Sequence, residues 1–534
     1  MKLRPLLAVL ATAGAGTLSA AAAPVAAPAA LTASGGVAPL AVRAPWTPGV
    51  DVVGAKKGAA CVTPAPKLSF RWFHCYTPQE IRAAYGVSQV LLPNGAHDYG
   101  KGQTIVLVDA YGSPTAAADL GVFHTTFFPK LPPPKFQQIF PLGNPQYHNT
   151  WHGAGLSGPN GAAGWSGEAT LDTQWAYAIA PEAHIILMAV PPAETEGVQG
   201  FPTLFRAISQ EIAATPPGTM FSMSFAVTEQ TFGGAAAAQV ARFDRVFQQG
   251  LARHDNFFAA AGDTGTSNAS KLHEESVAYP YPTVQWPASS PYVTAVGGTQ
   301  LQYKWTWDPT SNTALTASGS TFRFNPAYWK FTSGKSTQAV WNESWAPIAG
   351  GGGASTIYPR PAWQRGLGTG YGNHRLLPDT SWNAAVNGGV LVYISAYPTY
   401  NCPPGQSACW SVYGGTSAAT PQTAALVALA NAARAAAGQG PIGFLDPILY
   451  SGLGGRSSAY TDIVPQNYGS APQTFAGSEV GVTGPVQKSV GDLVDNQLWQ
   501  VATPGYPTTK GWDATTGWGA PYAPGFVAAL VAHK

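Results

Sequence analysis

Apolar positions recur along this chain as short, nearly continuous runs separated by Gly and Pro. Gly102 to Tyr111 reads GQTIVLVDAY, β-branched, bounded by Gly and apolar at almost every position, which predicts a strand covered on both faces of a parallel sheet. Runs of the same texture predict strands at His184 to Val190, Met220 to Phe225, Asn256 to Ala261, Tyr292 to Gly297 and Gly389 to Ile394. Between them, Gly167 to Ala180, Gly234 to Gln249 and Ala418 to Ala437 carry helical patterns. Strands alternating with helices imply an α/β fold, doubly wound around a mostly parallel sheet. Pro-rich loops such as Leu131 to Pro134 and the Gly350 to Gly353 tetrad interrupt the alternation, and no internal repeat is present.

The N-terminal texture differs. Lys2 and Arg4 precede an apolar stretch from Leu6 to about Leu18 and then the small run Ala20 to Ala23, the pattern of a secretory signal over 1–23. An Ala/Pro-rich stretch follows, read as a flexible leader or short propeptide over 24–74, and one large domain is expected over 75–534. No later stretch approaches a membrane span, so a secreted, extracellular protein is expected, free of the membrane once the signal is removed. In that compartment the 4 Cys imply two disulfides, and the near pairs Cys61 with Cys75 and Cys402 with Cys409 are favoured among three connectivities.

Composition narrows the class. Charged residues make only 10% of the 534, against roughly 25% in an average soluble domain, while 45% hydrophobic content excludes a disordered chain. The net charge of +2 has no basic cluster behind it, which excludes nucleic acid as an expected partner. So few charges suit an acidic medium, where carboxylates are partly protonated and pairing adds little.

Reactive residues sharpen that hint. At Gly414 to Pro421 the chain reads GGTSAATP before an Ala-rich helical run, so Ser417 stands where a loop enters a helix. Free backbone N–H groups and the positive end of the helix dipole favour negative charge developing there, and the small neighbours admit a substrate backbone. A mere helix cap by Thr416 or Ser417 would not need those small neighbours. No G-x-S-x-G pentapeptide occurs. Further upstream, GWSGEATLDTQWAYAIAP sets Glu168 and Asp172 four residues apart on one face of a helix that Ser166 can cap. The same face continues through Trp175 and Ile179, so both acids point inward, where two like charges raise one pKa and share a proton. Asp263 follows the small apolar run FFAAAG at a strand exit, where open α/β sheets place ligand-facing groups. Protonated, it donates a hydrogen bond and can serve an oxyanion; ionised, it would repel one.

Together these residues resemble the sedolisins, the serine-carboxyl peptidases with a subtilisin-like fold. Further matching segments are YTPQEIRAAYGV (Tyr76 to Val87), WPASSPYVTAVGGTQL (Trp286 to Leu301), VWNESW (Val340 to Trp345), GGGAS (Gly351 to Ser355) and PDTSWNA (Pro378 to Ala384). A monomer is the expected state, though no motif fixes it, and what the resemblance implies is a secreted endopeptidase acting on proteins or peptides at acid pH. In it Ser417 attacks the carbonyl, Glu168 takes and returns the proton, Asp172 orients Glu168, and protonated Asp263 stabilises the oxyanion.

The resemblance also implies one calcium ion (Ca2+), held by the carboxylates of Asp462 and Asp513 and the backbone carbonyls of Ile463, Thr509 and Gly511, a donor set of hard oxygens. Sedolisins usually carry a large folded prodomain, whereas only about fifty residues separate the expected signal cleavage from Tyr76. Two other readings stay open. One uses Asp109, His152 and Ser417 as a subtilisin-type triad; the other is a non-catalytic secreted binding protein whose 17 Trp and 22 Tyr line a polymer groove.

Overall fold

The computed structural model describes residues 38–39, 42–43, 75–143, 161–190, 197–266, 269–270, 277–279, 281–307, 329–343, 348–367, 369–386, 388–402, 404–464, 479–480 and 505–533. Two short strands lie near the N-terminus, β1 (Ala38–Pro39) and β2 (Val42–Arg43). The central sheet draws on β3 (Thr104–Ala110), β4 (Lys135–Ile139), β5 (His184–Val190) and β6 (Met220–Met223), then, beyond the neighbouring β7 (Phe225–Thr228), on β8 (Asn256–Ala260). After β9 (Gln285–Trp286), which pairs with β7, it is completed by β10 (Thr294–Trp307), β11 (Trp329–Val340) and β12 (Thr380–Asn383).

The strand order is β11-β10-β8-β6-β3-β5-β4, with β12 also paired to β10. Every pairing is parallel except β10 with β11. The chain starts in the middle at β3, builds one side through β4 and β5, and then crosses to build the other. The direction of winding reverses between β3 and β6, and the carboxyl ends of strands at such a switch are where sheets of this kind hold ligands.

The continuous apolar run of β3 follows from its two-sided burial. Ile105 and Leu107 enter one core while Val106, Val108 and Ala110 enter the other, so both faces are apolar along the middle of the strand and the one buried acid, Asp109, comes at its end. Helices α1 (Ala116–Phe127) and α2 (Ala162–Ile179) pack together, whereas α3 (Phe201–Ala214) and α4 (Ala236–Leu251) pair over the second core. A separate sheet contains β13 (Gly389–Ile394) and β14 (Cys409–Gly414), antiparallel to each other and bridged at one end by the Cys402–Cys409 disulfide. From β14 the chain turns directly into α5 (Thr416–Ala436), which packs on α2 and against the sheet; α6 (Ala523–Ala532) covers α5.

Several sequence expectations need correction. The helix expected from Gly167 begins at Ala162, with Gly161 as its cap, so Ser166 lies inside it and donates to the Ala163 carbonyl instead of capping. Its surroundings explain the miss, because α2 is buried at every position except Gly164 and has no polar face to mark its start. Likewise Met220 to Phe225 is two strands broken at Ser224, and Gly389 to Ile394 belongs to the second sheet. Cys75 is disulfide-bonded; its expected partner Cys61 lies outside the described residues, as do the 1–23 signal and most of the leader. Among the described residues no helix is long and apolar enough to cross a membrane.

Candidate active site

The turn from β14 into α5 places Ser417. Gly414 packs so closely that a Cβ there would lie 2.6 Å from the Ala384 carbonyl oxygen, and Gly415 takes φ +98°, a conformation open to Gly and strained for other residues. The Gly415 N–H donates to the same Ala384 carbonyl at 2.6 Å. Ser417 is the second residue of the helix, between Thr416, whose N–H is taken by the Asp263 side chain, and Ala418, whose N–H donates to the Gly415 carbonyl at 3.0 Å. Ser417 is fully buried, and its Oγ donates to the Ser224 carbonyl at 3.4 Å. The break at Ser224 between β6 and β7 brings that carbonyl to it; sequence reading left Ser224 hidden inside a strand.

Asp263 leaves the end of β8 and meets the residue before Ser417. Its Oδ1 accepts from the Thr416 N–H at 2.7 Å and from the Thr416 hydroxyl at 2.6 Å, while that hydroxyl accepts from the Gly262 N–H at 3.2 Å. The other oxygen, Oδ2, is buried with no hydrogen-bond partner among the described residues. Burial raises the pKa of Asp263 to about 7, against the Thr416 bonds, which lower it. Below that pH Asp263 is neutral, with a proton for Oδ2 to donate. The Gly350 to Gly353 run passes alongside, where Gly351 N–H donates to the Gly262 carbonyl at 2.8 Å.

Helix α2 carries Glu168 and Asp172, both fully buried. It is docked on β13 through the Gln174 amide, bonded to the Tyr393 carbonyl at 2.7 Å and N–H at 2.9 Å, and through the Trp175 indole N–H, which reaches the Leu391 carbonyl at 2.9 Å. Burial raises the Asp172 pKa well above the usual carboxyl range, reinforced by Asp109 and then Glu168, while the Ser224 hydroxyl opposes it. Asp109, at the end of β3, is also fully buried, its two oxygens have no hydrogen-bond partner among the described residues, and burial raises its pKa to about 8. Three carboxyls thus face one another in a desolvated space, where protons are shared and full ionisation is suppressed. Sequence reading assigned Asp109 only to the His152 triad. His152 lies outside the described residues, and the charged neighbour that the structure gives Asp109 is Asp172.

The five expected calcium ligands lie on two loops that meet. Asp462 Oδ2 accepts from the Gly511 N–H at 2.8 Å, and Asp513 Oδ2 accepts from the Thr509 N–H at 2.9 Å, so both carboxylates embrace one five-residue turn. Asp513 Oδ1 is held by the Thr516 N–H at 2.8 Å. Among the described residues no three acidic, His or Cys groups cluster as a metal site, so a hard cation here needs backbone carbonyls beside the two carboxylates. The turn supplies oxygen donors of that kind.

A twisted, largely parallel sheet with a helix-borne serine at its carboxyl edge defines a subtilisin-like α/β protein. No family profile matches the chain. It is 30% identical to kumamolisin of Bacillus sp. (strain MN-32) over 298 residues, 55% of this chain and 43% of that protein. It is 31% identical to sedolisin of Pseudomonas sp. (strain 101) over 234 residues, 42% of this chain and 32% of that one. The chain thus spans less than half the length of these curated relatives. The solved structure of a Pseudomonas sedolisin, a serine-carboxyl proteinase, matches its fold with a TM-score of 0.56 at 23% identity, over 86% of this chain and 98% of that one. Over the matched segments the chain is similar to sedolisin-type proteins, and it shares the fold of the Pseudomonas sedolisin.

Proposed function

We propose that this chain is a secreted endopeptidase that hydrolyses peptide bonds of proteins at acid pH through an acyl-enzyme on Ser417. The observation that carries the reading is Asp263 Oδ2, a buried carboxyl oxygen without a hydrogen-bond partner among the described residues, on the side chain whose Oδ1 holds Thr416 next to Ser417. A neutral carboxyl there donates to the oxyanion that forms as Ser417 Oγ adds to the substrate carbonyl. Glu168 accepts the Ser417 proton and returns it to the leaving amine; Asp172, sharing protons with Asp109, sets the protonation state of Glu168. In the second half a water attacks the ester by the same proton route. Removal of the 1–23 signal would leave the 24–74 leader ahead of the 75–534 peptidase domain.

The pH profile tests it. Because burial raises the Asp263 pKa to about 7, the donor is present below that pH and lost above it, so kcat/KM should fall as pH rises through about 7. Asp263→Asn keeps a neutral donor at every pH and should move that falling limb to higher pH. The stability sign is the same. A raised folded pKa stabilises fully at low pH, and that contribution is lost as pH climbs from the unfolded value of 3.8 to about 7. Asp263→Asn should therefore melt higher than wild type at pH 7, by a margin on the order of 4 kcal/mol. Activity that instead rises through the His range to a neutral plateau would move the reading to the Asp109, His152 and Ser417 triad.

A calcium ion held by Asp462, Asp513 and the carbonyls of Ile463, Thr509 and Gly511 would fasten the two loops and take no part in bond cleavage. Calcium should stabilise the folded chain by about 2.7 kcal/mol at a concentration 100 times its Kd. Stripping the calcium-loaded protein with a chelator should lower Tm by several degrees, and Asp513→Asn should abolish the difference. An unchanged Tm on adding calcium back would count against the site.

A further inference from the structure

Ser417 and Asp263 stand on a closed ring of contacts. Ser417 Oγ reaches the Ser224 carbonyl at 3.4 Å, and β7 runs from there to Thr228. Glu229 follows, 2% exposed, its N–H donating to the Val284 carbonyl at 3.2 Å. Its side chain crosses to the strand Gly353–Pro359, where Oε1 accepts from the Ser355 hydroxyl at 2.5 Å and Oε2 accepts from the Thr356 N–H at 2.6 Å and hydroxyl at 2.8 Å. That strand leads back through the glycine run to Ala349, whose N–H donates to the Asp263 carbonyl at 3.0 Å. Asp263 Oδ1 closes the ring on Thr416, beside Ser417.

A peptide whose carbonyl carbon meets Ser417 Oγ and whose oxygen meets Asp263 therefore has the start of β7 on one side and the glycine run on the other. Packing fixes one end of that second wall. A Cβ at Gly351 would lie 2.2 Å from the Ala261 carbonyl oxygen, and one at Gly352 would lie 1.9 Å from that of Ala514, so the run is clasped from both sides. Its other end is held to β7 by the Glu229 carboxyl. Ser355 Oγ already accepts from the Ile357 N–H at 3.0 Å and the Tyr358 N–H at 2.9 Å, so its own proton is left for Glu229. Every group the structure aims at this carboxyl is thus a donor, and among the described residues no Lys or Arg forms an ion pair with it. A buried acid without a cation costs stability, and its place on the ring accounts for its presence.

We propose that Glu229 is a positioning residue for peptide cleavage, setting the gap between β7 and the glycine run and so the way a substrate chain lies over Ser417. This rests on the peptidase reading above. Glutamine is a poor replacement, because its NH2 must face either the Ser355 hydroxyl or the Thr356 donors. The strand itself would stay attached, since the Trp286 indole N–H holds the Tyr358 hydroxyl at 3.1 Å and that hydroxyl donates to Asp244 at 3.0 Å.

The test uses the full chain as wild type, Glu229→Gln, Ser355→Ala and the double variant, with Ser417→Ala as the blank, at the pH of highest activity. Two reactions are read: cleavage of a long peptide that extends on both sides of the broken bond, and acylation by p-nitrophenyl acetate, which has no chain to lie between the walls. Each single variant should lose about 10- to 100-fold in kcat/KM on the peptide, the cost of a misplacement on the order of 1 Å, while acylation stays close to wild type. The double should be no worse than Glu229→Gln to within about twofold, because both changes break one shared bond. Should Glu229→Gln fail to fold, Ser355→Ala alone decides by the same comparison. Peptide cleavage near the wild-type rate in both variants overturns the proposal, as do equal losses on peptide and ester or losses that multiply in the double; each leaves the peptidase reading standing. Wild type that cuts no peptide overturns that reading and the positioning role together.

Discussion

Ser417→Ala is expected to lower kcat/KM on a denatured protein substrate by about 10⁴- to 10⁶-fold, the scale on which removing a serine nucleophile disables comparable catalytic sets. The substitution deletes one oxygen from a fully buried position and leaves the small-residue turn intact. It also removes a long hydrogen bond, 3.4 Å to the Ser224 carbonyl, which contributes at most about 1 kcal/mol. Tm should therefore change by only a few degrees while activity vanishes, and that separation identifies chemistry as the lost element. The Asp263 carboxyl and the N–H groups of α5 remain in the variant, so a trace of rate enhancement over water is expected to survive. A variant within tenfold of wild type would remove Ser417 from the nucleophile's role.

The parts of this molecule that sequence makes legible are those whose environment is uniform. β3 and β5 are buried on both faces, so their apolar runs mark them almost residue for residue. β4 reads KFQQI, is partly exposed at the sheet edge, and offers no such run. Helix α2 fails in the opposite way. Its first turn, Ala162 to Trp165, is buried against other elements and shows neither a capping side chain nor a polar face. At the site, Ser417 and Asp263 are marked by small residues that a close-approaching backbone requires. Asp109 and Ser224 carry no such mark, because each takes its place through contacts with segments from about 60 to nearly 200 positions away. The strands of the leader are illegible for the same reason, since two residues become a strand only where β7 and β14 present open edges to them.

Glu168→Gln should cost about 10⁴-fold in kcat with KM little changed, because glutamine keeps the volume and hydrogen-bonding reach of the side chain but cannot carry a proton. The helix gives reason to expect the fold to persist. Gln174 and Trp175 hold α2 on β13 independently of Glu168, and replacing a buried acid by a neutral amide relieves the repulsion that helps raise the Asp172 pKa. Tm near neutral pH should accordingly stay level or rise, which a merely structural role for Glu168 would not allow. Combined with Ser417→Ala, the substitution should add almost nothing, since a base without its nucleophile has no proton to take. A loss below tenfold in the single variant, or a further large loss in the double, would place the proton transfer elsewhere among the carboxyls and leave Glu168 as a positioning group for Asp172 and Asp109.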